Sequence, residues 1–291
     1  MSEPVRSNPS PVRTLTLTAI ALLCFAANSL LCRAALAGGL TDAASFTLVR
    51  LASGAVVLAL LARVRRSSSP PPSLAWGSAF ALFGYAIGFS LAYVRISAGV
   101  GALILFASVQ FTMISAGLLG GERPHVREWV GLVVSMAGLV VLSRPGLASP
   151  DPLGAALMVG AGMSWGVYSL RGRRSTDAVG GNAASFARAV PLAILASIIV
   201  IVLGAAHLEP QGTGLALVSG AITSGLGYIV WYAALRGLTA TRAAVVQLAV
   251  PVVSAIGGVF LLGEKFSARL GLAGILIVGG IALAALRPKR G

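Results

Sequence analysis

The sequence AASF occurs twice, at residues 43–46 and at 183–186, and each copy lies within a hydrophobic segment. Other short matches follow the same order in both parts of the chain. They are SL at 29–30 and 169–170, GE at 121–122 and 263–264, and RP at 144–145 and 287–288. The chain is therefore predicted to contain two copies of one structural unit. Two copies of a membrane-helix bundle leave a natural cavity between them, a pattern typical of transport proteins.

The composition is that of a membrane protein. Hydrophobic residues make up 57% of the 291 residues and charged residues only 10%, with a mean hydropathy of +0.91. A spanning helix needs about 20 apolar residues, and the hydrophobic runs predict an all-α integral membrane protein with ten transmembrane helices. The predicted helices lie at 14–37, 43–62, 74–94, 98–120, 127–143, 152–170, 183–206, 213–235, 240–262 and 268–286. The remaining residues are too few for a soluble domain.

The repeat divides these helices into two groups of five. Because five is an odd number, two consecutive copies must have opposite orientations in the membrane, so the predicted fold is two inverted five-helix repeats. The predicted boundaries are a cytoplasmic tail at 1–13, a first repeat at 14–145, a second repeat at 146–288 and a short tail at 289–291. The two repeats are expected to form one compact membrane domain.

The positive charge is distributed as in a membrane protein. The net charge is +14, which in a soluble protein would indicate nucleic-acid binding. With the N-terminus in the cytoplasm, however, 15 of the 22 Lys and Arg residues fall at cytoplasmic ends and loops, and five fall on the opposite side. This bias satisfies the positive-inside rule. We therefore expect a multi-pass protein of the bacterial inner membrane with both termini cytoplasmic. Its expected partner is the lipid bilayer, and no nucleic-acid binding is expected.

Signatures of catalysis and of metal binding are missing from the sequence. The two histidines, His125 and His207, lie in predicted loops, and there is no His-Glu-x-x-His, metal-spaced Cys pair or P-loop. All eight acidic residues fall in tails, loops or helix ends, whereas a proton-driven exporter of cations needs a carboxylate within the membrane. We therefore expect no enzymatic activity, no cofactor, no metal site, and transport without proton coupling.

Neutral polar and aromatic side chains are the candidates for a substrate site. They are Asn28, Tyr85, Gln110, Trp165, Tyr168, Tyr228, Tyr232 and Gln247. Aromatic rings with a polar group suit a pocket for an amphipathic organic molecule. Two other interpretations stay open: the amides bond neighbouring helices, or Trp165 and Tyr168 lie at the lipid interface.

Two arginines and two small-residue pairs also have open interpretations. Arg50 and Arg188 lie within helices two and seven, where an ionisable residue is a functional candidate by default. Each could instead snorkel to the headgroups, form a structural pair, or latch one repeat to the other. The small-residue pairs at 84–88 and 131–135 either pack the bundle together or form a dimer face.

These features together resemble a known family. They are Asn28 in helix one, Arg50 in helix two, Gly-Glu at 121–122 and 263–264, and Trp165-x-x-Tyr168 in helix six. The chain resembles the EamA-type transporters of the drug/metabolite transporter superfamily, and within it is similar to bacterial aromatic amino-acid exporters of the YddG type. The resemblance implies alternating access around a central cavity lined by helices one, three, four, six, eight and nine, with the eight candidate residues on or near it.

The expected function is export of amino acids, aromatic or apolar, and of related metabolites. Aromatic side chains would enclose the carbon skeleton, while amides and hydroxyls would bind the ammonium and carboxylate groups. The expected partners are this small-molecule substrate and the lipid bilayer, and the protein is expected to be a monomer. The alternatives are a multidrug or cation exporter of the same fold, an intramembrane enzyme, and a channel or scaffold.

Overall fold

The structure is a computed structural model that describes residues 10–67, 72–96, 98–143, 151–262 and 268–285. Within these ranges the regular structure is helical, apart from one isolated bridge between Thr41 and Leu208. The helices are α1 (Pro11–Ala37), α2 (Ala43–Arg65), α3 (Pro72–Tyr93), α4 (Ala98–Leu119), α5 (Val126–Ser143), α6 (Pro152–Arg173), α7 (Ala178–Val202), α8 (Pro210–Val218), a π segment (Ser219–Leu226), α9 (Gly227–Leu235), α10 (Ala240–Gln247), α11 (Ala249–Leu262) and α12 (Ala268–Ala285). The second Gly-Glu pair and both Arg-Pro pairs lie outside the described residues.

Aspartates fix the starts of the two helices that carry the AASF repeat. Asp42 caps α2 by accepting 2.9 Å hydrogen bonds from the backbone N–H groups of Ala44 and Ser45. Asp177 caps α7 in the same way, with bonds of 2.9 and 3.0 Å to two N–H groups of the first turn. Such caps satisfy donors that a helix leaves without intrahelical partners. AASF follows the cap at once in α2 but five residues later in α7, so the two copies occupy different turns.

The described residues form a multi-pass membrane protein. Eight helical stretches among them are long and apolar enough to cross a bilayer; α5 and α12 are not among these eight. Large apolar side chains on the outward faces suit contact with lipid; Val202 at the end of α7, for example, is 78% exposed. The count of ten spans and the inverted orientation of the repeats remain predictions.

Two of the predicted helices are interrupted. The segment predicted at 213–235 consists of α8, the π segment and α9, and the segment predicted at 240–262 divides into α10 and α11 at Leu248. Short π-helical stretches within α-helices are frequent at functional sites. Pro251 lies in the first turn of α11, a position where a proline removes no intrahelical hydrogen bond. Both interruptions occur in helices that border the interior of the bundle.

The small-residue pairs pack helices within the chain. Gly131 of α5 lies against the backbone of Gly280 in α12, where an added Cβ would overlap that backbone. Beside it, the Ser135 hydroxyl donates a 3.1 Å hydrogen bond to the carbonyl of Ile277. The glycine pair at 84–88 faces α6 in the same manner. Both pairs therefore permit close approach of helices inside the bundle.

Helices from the two halves of the chain are interleaved. α2 packs against α7 and the π segment, α1 against α9 and α11, and α3 and α4 against α6. The interior between them holds large side chains that are almost completely shielded, among them Arg50, Tyr168, Tyr228 and Trp231. The polar and aromatic residues of this interior form the candidate site.

Candidate functional site

Five aromatic side chains from α1, α3, α6 and α9 form a cluster around Trp165. Its ring centroid lies 4.9 Å from those of Tyr85 and Tyr228, 5.1 Å from that of Phe25 and 5.9 Å from that of Tyr168. The pairs are tilted or edge-on, an arrangement worth about 0.5–1.5 kcal/mol each beyond simple burial. Trp165 is only 5% exposed. It is therefore the centre of this aromatic cluster and does not lie at the lipid interface.

The amides beside the aromatic cluster bond to neighbouring helices in this conformation. The Trp165 indole N–H donates a 2.6 Å hydrogen bond to Oε1 of Gln247, whose Nε2 donates to the carbonyl of Ala243 at 2.9 Å. On α4, Nε2 of Gln110 donates to the carbonyl of Ala244 at 2.8 Å. Oε1 of Gln110 is buried and has no hydrogen-bond partner in the described part of the chain. Gln110 therefore retains one unused acceptor inside the bundle.

Arg50 of α2 is a buried cation, 1% exposed. Its Nε donates to the hydroxyl of Ser224 at 2.9 Å and its Nη2 to that of Tyr228 at 2.8 Å. The guanidinium carbon lies 5.4 Å from the centroid of the Tyr85 ring, within cation–π range. Among the described residues, Nη1 has no hydrogen-bond partner and no carboxylate pairs with the guanidinium. Arg50 thus does not snorkel; it joins α2 to helices of the C-terminal half.

Arg188, the other arginine predicted within a membrane helix, has different surroundings from Arg50. It is only partly buried, and its Nη1 donates a 3.3 Å hydrogen bond to the carbonyl of Ala184, one turn earlier in the same helix α7. The two arginines lie in the two helices that carry the AASF repeat, but at different distances after it, and their environments differ.

The π segment supplies hydroxyl groups to Asn28. Oδ1 of Asn28 accepts a 2.7 Å hydrogen bond from Ser219, with Thr223 and Ser224 at 3.4 Å. All four side chains are at most 5% exposed. Since Ser224 also accepts from Arg50, it connects the amide on α1 with the guanidinium on α2. These hydroxyls were not predicted, although a Ser-x-x-x-Thr-Ser run inside an apolar segment is a visible signal.

A second group of polar contacts extends the site between α6, α7 and α9. The Tyr168 hydroxyl donates a 2.7 Å hydrogen bond to Oδ1 of Asn182, and the Trp231 indole donates to Ser169 at 3.1 Å. The Tyr232 hydroxyl lies 3.4 Å from the Tyr168 carbonyl, and the two rings are 5.4 Å apart. These contacts extend the aromatic cluster toward the α6–α7 connection.

The predicted site residues come together to different degrees. Hydrogen bonds and ring contacts link seven of them in one interior region: Asn28, Tyr85, Trp165, Tyr168, Tyr228, Tyr232 and Gln247. Gln110 reaches this region through α10. The described residues contain no group of three or more His, Cys, Asp or Glu side chains arranged to hold a metal ion.

Two ion pairs join the halves at the end of the bundle where α1 begins. Glu122 lies 2.6 Å from Arg173 and accepts from the backbone N–H of Ala240 at 2.9 Å. Glu128 lies 2.8 Å from Arg242. Burial tends to raise the pKa of the Glu122 carboxyl, but the hydrogen bonds from Ala240 and Arg173, and the Arg173 charge, bring this pKa below its ordinary value. Glu122 is therefore ionised at neutral pH and caps α10.

A cavity of about 440 Å³ lies beside these ion pairs. It is lined by Thr14 and Thr18 of α1, by Arg236 and Arg242, and by Val246 of α10. Under the predicted topology this is the cytoplasmic end. The side chains of the aromatic cluster pack against one another, and none of them is more than 8% exposed.

Known proteins match this chain over most of its length. The model of the EamA-like transporter family matches residues 12–144 and again 152–286. A protein of Pseudomonas aeruginosa described as uncharacterized is 48% identical over 279 residues, 96% of each chain. The uncharacterized inner membrane transporter YedA of Escherichia coli is 26% identical over 250 residues, covering 81% of this chain and 79% of YedA.

A solved crystal structure of another protein has the same fold. It superposes with a TM-score of 0.78 and covers 95% of this chain and 97% of its own, at 22% sequence identity. At that identity the similarity concerns the fold alone. The family matches span almost all of the described chain, and the interior found here is polar and aromatic. The chain is a multi-pass membrane protein that belongs to the EamA-like transporter family.

Proposed function

We propose that this protein exports amino acids with aromatic or apolar side chains across the bacterial inner membrane, by alternating access and without proton coupling. The observation that carries the proposal is the buried aromatic cluster around Trp165, which is bordered by hydroxyl, amide and guanidinium groups. Rings supply apolar contact to a carbon skeleton, and the polar border supplies partners for charged ends. The family and the description of YedA as an inner membrane transporter support the location.

Alternating access is supported by where the polar contacts occur. The bond between Arg50 and Tyr228 joins the two halves in the interior, and the Glu122–Arg173 pair joins them at one end. A site between two halves of a duplicated bundle can open to each side in turn when the halves rock against each other. Breaking the end contacts would let the halves separate at the end where the cavity lies.

The positions of the acidic residues support transport without proton coupling. Those among the described residues are Asp42, Glu122, Glu128, Asp151, Asp177 and Glu209, all in connections or first helical turns. Carboxylates that exchange a proton for a substrate lie within the membrane interior. The interior of the described helices contains neutral polar groups and a cation instead.

Counterflow in proteoliposomes tests this function. Vesicles loaded with unlabelled phenylalanine should accumulate external labelled phenylalanine saturably, and a protonophore should leave the rate unchanged. Trp165→Ala should lower the rate at least tenfold, whereas Trp129→Ala, on the 40% exposed tryptophan of α5, should not. Absence of counterflow for every aromatic and apolar amino acid would contradict the proposal, and uptake driven only by a pH gradient would contradict uncoupled transport.

Export of organic cations by the same fold is the competing function. Arg50 argues against it, because a buried unpaired guanidinium repels a cation in a medium of low dielectric constant. Tetraphenylphosphonium added to the counterflow assay should therefore leave phenylalanine transport unchanged. Inhibition by this cation at concentrations at which phenylalanine itself competes would favour the cation exporter.

A further inference from the structure

We propose that Arg50 binds the anionic group of the transported molecule, so that the central site selects organic carboxylates and does not require an ammonium group. This inference rests on the proposed function and names the chemistry that its substrates share. The carboxylate would occupy the region between Arg50, Tyr85 and Tyr228, with the carbon skeleton against the Trp165 ring.

The first support is the missing counter-charge. An ionised side chain removed from water is strongly destabilising unless it is paired, and buried charges in proteins are almost always compensated. Arg50 is 1% exposed, and its contacts in the described residues are to neutral groups: the hydroxyls of Ser224 and Tyr228 and the side chain of Tyr85. The cation is therefore solvated by dipoles but lacks an anion. A bound carboxylate would supply one.

The second support is the geometry of the unused donors. A guanidinium offers Nη1 and Nη2 side by side, which matches the two oxygens of a carboxylate. Nη1 is buried and has no hydrogen-bond partner in the described ranges, while Nη2 donates to the Tyr228 hydroxyl at 2.8 Å. An arriving carboxylate would take Nη1 and compete with Tyr228 for Nη2. Anion binding would thus loosen a contact between α2 and α9, which belong to opposite halves.

The third support is the contrast with Arg188. Its guanidinium is partly exposed and bonds a carbonyl of its own helix, as expected of an arginine that needs no ligand. Arg188→Gln removes the same charge from α7, the other helix that carries the AASF repeat. It is therefore the matched control for Arg50.

Ligand binding to the purified wild-type protein tests the inference without any substitution. Thermal unfolding in detergent is measured with phenylalanine, 3-phenylpropionate or 2-phenylethylamine, and with sodium chloride as the ionic control. We expect phenylalanine and 3-phenylpropionate to raise the melting temperature saturably, and 2-phenylethylamine and chloride to leave it unchanged. No shift with 3-phenylpropionate, or an equal shift with 2-phenylethylamine or chloride, would overturn the inference.

Variants then assign the binding to the residue. Arg50→Gln and Arg50→Lys should weaken 3-phenylpropionate binding at least tenfold, since lysine keeps the charge but loses the paired donors; Arg188→Gln should leave binding unchanged. Undiminished affinity in a folded Arg50 variant would overturn the inference even if phenylalanine counterflow persists. Conversely, Arg50-dependent binding of 3-phenylpropionate without counterflow of any amino acid would refute the proposed function and leave the anion site standing.

Discussion

Nη2 of Arg50 and the hydroxyl of Tyr228 lie 2.8 Å apart in the interior of the bundle, although 178 residues separate them in the chain. Arg50 belongs to α2 in the N-terminal half and Tyr228 to α9 in the C-terminal half. Their hydrogen bond therefore fixes one half against the other at the depth of the aromatic cluster. The Tyr228 ring also lies 4.9 Å from that of Trp165, so one side chain connects the cation with the aromatic cluster.

Removing the Tyr228 hydroxyl should destabilise the protein. Tyr228→Phe keeps the ring but leaves Nη2 of Arg50 without an acceptor, and an unsatisfied buried donor costs about 1–3 kcal/mol. Thermal unfolding in detergent measures the loss. Tyr93→Phe is the control, because the Tyr93 ring packs on Phe89 and its hydroxyl forms no hydrogen bond with any of the described residues. Equal melting temperatures for the two variants would show that the Arg50–Tyr228 bond contributes no stability.

A carboxylate placed beside Arg50 should abolish substrate binding. Ser224 lies 2.9 Å from Nε of Arg50 and 3.4 Å from Oδ1 of Asn28, so Asn28→Asp brings a negative charge close to the guanidinium. At this range in a medium of low dielectric constant the attraction amounts to several kcal/mol. We expect at least a tenfold loss of affinity for 3-phenylpropionate in the melting assay. Ser29→Asp, on a residue that bonds the Phe25 carbonyl of its own helix, should have a much smaller effect.

The close packing of the π segment on α2 should depend on glycine at residue 220. A Cβ there would overlap the Arg50 carbonyl and the Ser53 hydroxyl. Gly220→Ala should therefore destabilise the fold by about 1–3 kcal/mol, the usual range for overpacking. Gly214→Ala is the matched control in α8, since no atom lies within 4 Å of its added Cβ. Equal unfolding temperatures for the two variants would contradict the packing described here.

Acid should weaken the contact that Glu122 makes between the halves. Because the pKa of this carboxyl is lower in the folded protein than its ordinary value, its stabilisation is present above that ordinary value and is lost as the pH falls through the lowered pKa. Glu122→Gln should lower the melting temperature at pH 7 and reduce its dependence on pH between about 3 and 5. Glu209→Gln, on a half-exposed N-cap residue whose side chain forms no capping hydrogen bond, should lower the melting temperature at pH 7 much less. A wild-type pH profile retained by Glu122→Gln would contradict this role.

Much of the fold could be predicted because hydrophobic runs reveal helices directly. The starts of α2 and α7 follow from Asp42 and Asp177, since aspartate before an apolar run is a helix cap. The π segment could not be predicted, because residues 219–226 have the same apolar character as the flanking α-helix and only the hydrogen-bonding pattern distinguishes them. The division at Leu248 is similarly invisible in the composition.

The sequence predicted which residues form the candidate site, but not the hydrogen bonds between them. Aromatic and amide side chains at membrane depth indicated Asn28, Trp165 and Gln247, but their partners lie 82 to 196 residues away and depend on helix packing. The burial of the Arg50 guanidinium shows this most clearly. Its position within helix two permits snorkelling, and only the approach of Ser224 and Tyr228 from another helix determines that the guanidinium stays inside.

The central claim is that the aromatic cluster is a substrate site that opens in turn to both sides of the membrane. The most direct measurement is labelling of Phe25→Cys, a position in contact with Trp165, by a water-soluble maleimide in a variant in which alanine replaces Cys24 and Cys32. Phe111→Cys, on a side chain 69% exposed on the outer face of α4, is the lipid-facing control. We predict labelling of Phe25→Cys in both right-side-out and inside-out vesicles, slowed by phenylalanine, and none of Phe111→Cys. Failure of Phe25→Cys to react from either side would mean that the cluster is a static core.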